Sequence, residues 1–159
     1  MMILRSSPAS PFGRKVRIAI SLLGLDGDVK VEAADTSDVN DSLRQQNPLG
    51  KIPVVIAEDG TAYYDSRVIL AYLDDRAGGG KIMPRDAKAR LAALEAAPPP
   101  LDAMPQVLPD VGQITLACTL GYRDFRFNGT WRGDHPRLVA WLDNFSARVP
   151  AFAATKPPG

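Results

Sequence analysis

The sequence predicts an α/β unit followed by an all-helical unit. Three observations lead there. Strand-like and helix-like segments alternate over residues 1–78, no strand pattern follows residue 65, and the second half is rich in helix formers broken by prolines. The order over 1–78 is β-α-β-α-β-β-α, which a mixed four-stranded sheet covered by helices on both faces satisfies.

"MMILR" reads as a short strand buried on both faces, and "SSPASP" breaks it. Val16, Ala19, Ile20 and Leu23 then recur at helical spacing, with Phe12 one turn earlier and Gly24 where a C-terminal cap glycine belongs. "DVKVEAA" is the second strand and "TSDVNDSLRQQ" a polar, weakly helical stretch. "IPVVIA" and "AYY" flank an Asp-Gly turn signal and read as a hairpin. Asp65-Ser66 opens a helix with Ile69, Tyr72 and Leu73 on one face, and "AGGG" ends it. In the second half, 85–96 is helical by propensity, and the prolines from 98 to 109 demand a loop, since proline inside a helix costs about 3 kcal/mol. Asp110 and Gln113 have capping-box spacing ahead of a helix carrying Ile114, Ala117, Cys118 and Gly121. "GYRDFRFNGTW" reads as an aromatic bend. His135-Pro136 opens a last helix with Leu138, Trp141, Leu142, Phe145 and Val149 as its apolar stripe.

Composition narrows the function. A net charge of +1, from 19 basic and 18 acidic residues, argues against a nucleic-acid or anionic-membrane surface. One cysteine (Cys118) and one histidine (His135) exclude an intramolecular disulfide and a Cys/His zinc site within the chain. The apolar start is too short for a signal peptide, so the expected location is cytoplasmic.

Taken alone, the candidate site residues have plain structural readings. Ser10, ahead of Pro11, is an N-cap, and Asp65-Ser66 is another cap. Pro53 is a strand-entry proline, "RKVR" (14–17) the solvated face of the first helix, Cys118 a small core residue and His135 a turn or cap. No Gly-x-Ser-x-Gly elbow is present and the lone histidine lies far along the chain, so Ser10 has no evident base and a serine hydrolase is disfavoured. A serine at a helix N-terminus can still donate its hydroxyl hydrogen to an anion.

"SPASPFGRKVRIAISLLGL", "NPLGKIPVV" and "DSRVILAYLDD", in this order, resemble the N-terminal domain of the glutathione S-transferase superfamily, of its bacterial serine type. "GQITLACTLGYRDFRF" and "HPRLVAWLDNFSARVPAFAAT" resemble its C-terminal helical domain. The resemblance implies a thioredoxin-like glutathione-binding domain at 1–78 and a shortened helical domain at 85–155, with a Pro-rich loop at 97–109. It implies glutathione as co-substrate and no metal. Ser10 falls at the catalytic serine, which would stabilise the glutathione thiolate for attack on a small apolar electrophile, a detoxification-type conjugation. Ile52, before a cis-Pro53, would pair with the cysteinyl part, Lys51 would lie near the glycyl end, and Asp65 and Ser66 would hold the γ-glutamyl group.

The chain is shorter than the family pattern between its two halves. About one long helical hairpin lacks a counterpart, which reads as an internal deletion and makes a weakened or altered homodimer the expected assembly. Two alternatives stay open: a glutathione-binding or interaction protein that has lost turnover, and a thiol-disulfide oxidoreductase, disfavoured because no cysteine opens the first helix.

Overall fold

The computed structural model describes residues 1–95 and 108–158. Strand β1 (Met2–Ser6) runs parallel to β2 (Val29–Ala33), with Met2 opposite Val29. It runs antiparallel to β3 (Val54–Ile56), with Leu4 opposite Val55, and β4 (Ala62–Tyr63) pairs antiparallel with β3. The sheet order is β2-β1-β3-β4. β1 is central, which is why Met2 and Leu4 are fully buried and even Arg5 is only 7% exposed. The thioredoxin-like arrangement expected for 1–78 is therefore observed.

Helix α1 (Pro11–Leu22) crosses from β1 towards β2. It ends as the glycine predicts: Gly24 has φ +72°, its N–H donates to Ser21 O at 3.1 Å, and the Leu25 N–H donates to Ile20 O at 2.9 Å. A 3₁₀ turn at Asp26–Asp28 leads into β2. The polar stretch before β3 holds only one helical turn, α2 (Leu43–Gln46). It is pinned to the sheet by Arg5, which donates to Asp41 Oδ1 (2.7 Å), Ser42 Oγ (2.9 Å) and Gln46 Oε1 (3.1 Å). Helix α3 (Ser66–Arg76) follows the hairpin. Its buried Asp74 accepts the N–H groups of Gly80, Lys81 and Ile82, fixing the chain as it leaves the sheet.

The helical half comprises α4 (Ala87–Leu94), α5 (Val111–Phe127), α6 (Pro136–Arg148) and α7 (Pro150–Ala154). The capping box at Asp110 and Gln113 forms as expected, with both reciprocal bonds present. Helix α5 outruns its prediction. "GYRDFRF" is helical rather than a bend, and the turn comes at Asn128 (φ +51°) and Gly129 (φ +64°). Gly121 is kept inside the helix because a side chain there would strike the Arg14 guanidinium and the Phe152 ring. The α6 stripe is buried at Trp141, Leu142, Phe145 and Val149, with Leu138 packed against its edge. The Pro-rich loop expected at 97–109 lies, except for its last two residues, outside the described residues. One cluster of buried residues runs from Met2 and Leu4 through α1 and α3 to Ile114, Trp141 and Phe152, so both halves share a core.

"RKVR" is not a solvated face. Arg14 is 4% and Lys15 5% exposed. α5 packs on α1 at this point and covers both side chains. Arg14 donates to Phe152 O at 2.5 Å and to Thr155 Oγ1 at 3.3 Å, and lies 3.9 Å from the Phe152 ring centre. Phe12, grouped by periodicity with the apolar face, is exposed instead.

Candidate functional site

Two adjoining concavities meet at the N-terminal end of α1. The first, about 230 Å³, is lined by Lys51, Ile52, Pro53, Asp65 and Ser66 together with Phe12, Asn47 and Tyr64. The second, about 410 Å³, holds Ser10 and shares Ile52 with the first. Five of the six candidate residues thus share one cleft, and the sixth opens into its neighbour.

Ser10 is the N-cap of α1. Extended backbone (φ −77°, ψ 119°) ahead of Pro11 turns its Oγ to accept the Gly13 N–H at 3.1 Å. Among the described residues its hydroxyl hydrogen has no acceptor. The Ile52-Pro53 bond is cis. No hydrogen bond among the described residues uses the N–H or C=O of Ile52, so both are available to a ligand. The loop ahead of it is held by buried Asn47, whose Nδ2 donates to Lys51 O at 2.9 Å and whose Oδ1 accepts the Leu49 N–H at 3.0 Å. That bracing leaves the Lys51 side chain in solvent.

Asp65 caps α3 by accepting the Arg67 N–H on Oδ1 at 2.8 Å. That hydrogen bond, the Arg67 side chain and the nearby Lys15 charge hold its carboxyl below the usual carboxylate range. Ser66 is buried, with its Oγ 3.4 Å from Asp65 Oδ1. The first turn of α3 therefore offers amides and a hydroxyl suited to a carboxylate, beside an acid suited to an ammonium.

Two site features escaped sequence reasoning, and Cys118 is the core residue expected. Lys15 is buried at the α1–α5 contact, and loss of hydration lowers its pKa. Tyr122 and Arg126 of α5 line the second cleft beside Ser10. Their i, i+4 spacing was legible, but reading that segment as a bend concealed it. Cys118 is buried, and its thiol is pushed up to about 12 by burial, against the opposing charges of Arg14, Lys15 and Arg17. It is a core residue without thiolate character.

A thioredoxin-like sheet, an available serine hydroxyl at the first helix, a cis-proline loop and an acid-serine helix start together define a glutathione-transferase type of protein. Comparison with known proteins agrees. Residues 4–81 match the N-terminal domain model of glutathione S-transferases. The Escherichia coli K12 protein described as uncharacterized GST-like protein YibF is 28% identical, over 99% of each chain. A glutathione transferase family member from Pseudomonas fluorescens Pf-5, solved with bound glutathione, is 32% identical over the whole of both chains, with a TM-score of 0.87. A structure from the same organism with bound S-(propanoic acid)-glutathione is 31% identical, with a TM-score of 0.81 over 99% of this chain. The chain belongs to the glutathione S-transferase superfamily. The alignment with the E. coli protein runs over 203 positions against 159 residues here, so at least 44 positions lack a counterpart in this chain.

Proposed function

We propose that the protein is a glutathione transferase-type enzyme, holding glutathione in the first cleft and directing its thiolate at a small electrophile in the second. The observation that carries this reading is the Ser10 hydroxyl. One lone pair is occupied by the Gly13 N–H, while its hydrogen remains available where the two clefts meet. A sulfur bound there would receive that hydrogen bond and lie at the positive end of α1, and both favour thiolate. Ile52 pairs through its backbone with the cysteinyl unit, and Lys51 faces the glycyl carboxylate. Ser66 and the first amides of α3 take the γ-glutamyl carboxylate, and Asp65 takes its ammonium. On this reading the thiolate, not Ser10, forms the new bond.

The glutathione unit is 1–78, and the helical unit, 85–155, contributes the α5 wall of the second cleft. The Pf-5 family member with bound S-(propanoic acid)-glutathione supports this reading, since that ligand is glutathione with an S-substituent and would span both clefts. The location that fits is the cytoplasm; no helix among the described residues is long and apolar enough to cross a membrane.

A second reading, a glutathione-binding protein without turnover, is favoured by the missing 44 or more positions and by α4 having only eight residues. Titration with glutathione by calorimetry tests the site common to both readings, and no binding would sink both. Conjugation of a panel of electrophiles, above the uncatalysed rate and lost in Ser10→Ala, supports the enzyme. Binding without turnover across the panel supports the second reading. Light scattering should give a weakened dimer, and a tight one would contradict the inferred loss of interface.

A further inference from the structure

The second cleft does not suit the apolar electrophile expected from the sequence. Beyond Ile52 and small residues it is lined by Asp35, Thr36, Tyr122 and Arg126. Arg126 forms no ion pair among the described residues. Its guanidinium lies 5.0 Å from the Phe125 ring centre and 5.9 Å from that of Tyr122, contacts that steady the side chain without neutralising it. Asp35, the acid lining the cleft among the described residues, stays ionised, held below the usual carboxylate range by its hydrogen bonds with Ser37, and forms no ion pair with Arg126. Its Oδ1 accepts both the backbone N–H (2.8 Å) and the hydroxyl (2.5 Å) of Ser37. The cleft therefore presents a cation on the same lining as Ser10 that has no ion-pair partner among the described residues.

We infer that the electrophile is a small carboxylic acid and that Arg126 is the residue selecting it. This inference rests on the glutathione reading of the first cleft. Guanidinium suits a carboxylate because its N–H donors match the two oxygens. The carboxylate anchors at Arg126 and the reactive carbon is left facing the sulfur at Ser10. For a 2-halo acid the thiolate sulfur attacks C2, a C–S bond forms and the C–halogen bond breaks. The halide leaves with the bonding pair, and the thiol proton has already passed to solvent.

Two thioethers that mimic such products test the assignment without requiring turnover: S-(carboxymethyl)glutathione and its uncharged amide, S-(carbamoylmethyl)glutathione. Their dissociation constants are measured by calorimetry on the full chain, each relative to glutathione, for wild type and Arg126→Gln. Arg126 is exposed, so the preference for the acid is modest, about threefold to fivefold at low salt and shrinking as salt rises. It vanishes in Arg126→Gln. Equal affinity for the two in wild type, or a preference that survives Arg126→Gln, overturns the role of Arg126 and leaves the glutathione site standing. Failure of glutathione and both thioethers to bind overturns the glutathione reading, and this inference with it.

Discussion

Replacing Ser10 by alanine removes two interactions that can be sized separately. The first is the cap. Loss of an N-cap serine costs about 1 kcal/mol of stability, because the Gly13 N–H then lacks its 3.1 Å acceptor. The second is the hydroxyl hydrogen offered to sulfur. A hydrogen bond to a charged partner contributes about 1.5–3 kcal/mol, and one pKa unit corresponds to 1.36 kcal/mol. The thiol of bound glutathione should therefore rise by about one to two units in Ser10→Ala, towards the free-thiol value of about 8.5. Turnover at neutral pH should fall roughly threefold to thirtyfold, in proportion to the lost thiolate fraction, which is still about 3% at a thiol pKa of about 8.5. Thiolate absorbance of the glutathione complex, titrated against pH, reads the first number, and the pH–rate profile reads the second. Ser10→Gly separates the two effects, since glycine at an N-cap costs only a few tenths of a kcal/mol. It should be more stable than Ser10→Ala and show the same raised thiol pKa. An unchanged thiol pKa in both variants would refute the donor role and leave Ser10 as a cap alone.

Gly112→Ala should destabilise the fold by about 2 kcal/mol or more in urea unfolding, because the new methyl would overlap the Ala93 carbonyl oxygen and force α4 off α5. Asp124, bonded by Arg132 (2.6 and 3.0 Å) and by Trp131 Nε1 (2.9 Å), has its pKa lowered in the fold, so its contribution is present above the usual carboxylate value and lost as pH falls below about 4. Stability measured from pH 6 to 3 should accordingly fall less steeply in Asp124→Asn than in wild type. Cys118 should resist iodoacetamide in the folded chain and react only on unfolding, because burial keeps its thiol protonated. Rapid labelling under native conditions would show that the α1–α5 contact opens.

Much of the fold was legible because its signals are local. Helical spacing at Val16–Leu23, the cap glycine Gly24, the Asp110–Gln113 capping box and the Asp-Gly hairpin each depend on neighbours a few residues away. Each appears where expected. The Ser10, Ile52-Pro53 and Asp65-Ser66 motifs were likewise visible, as caps and a strand entry first, and as a set only through family resemblance.

What the sequence alone determined was therefore the element order, the caps and which residues could donate, accept or carry charge. Which of them face one another depended on packing between segments distant in sequence, more than a hundred residues apart for Arg14 with Phe152 and for Ser10 with Arg126. Arg14 and Lys15 read as solvated because nothing nearby in sequence covers them, and it is α5 and α7 that do so. Arg126 read as part of a bend, yet unbroken helical geometry carries it one turn past Tyr122, into the cleft that also holds Ser10. The physical reason is the same in both cases. Periodicity records which side of an element is apolar, whereas burial of a cation and the neighbours of the Ser10 hydroxyl are set by long-range contacts that no local pattern encodes.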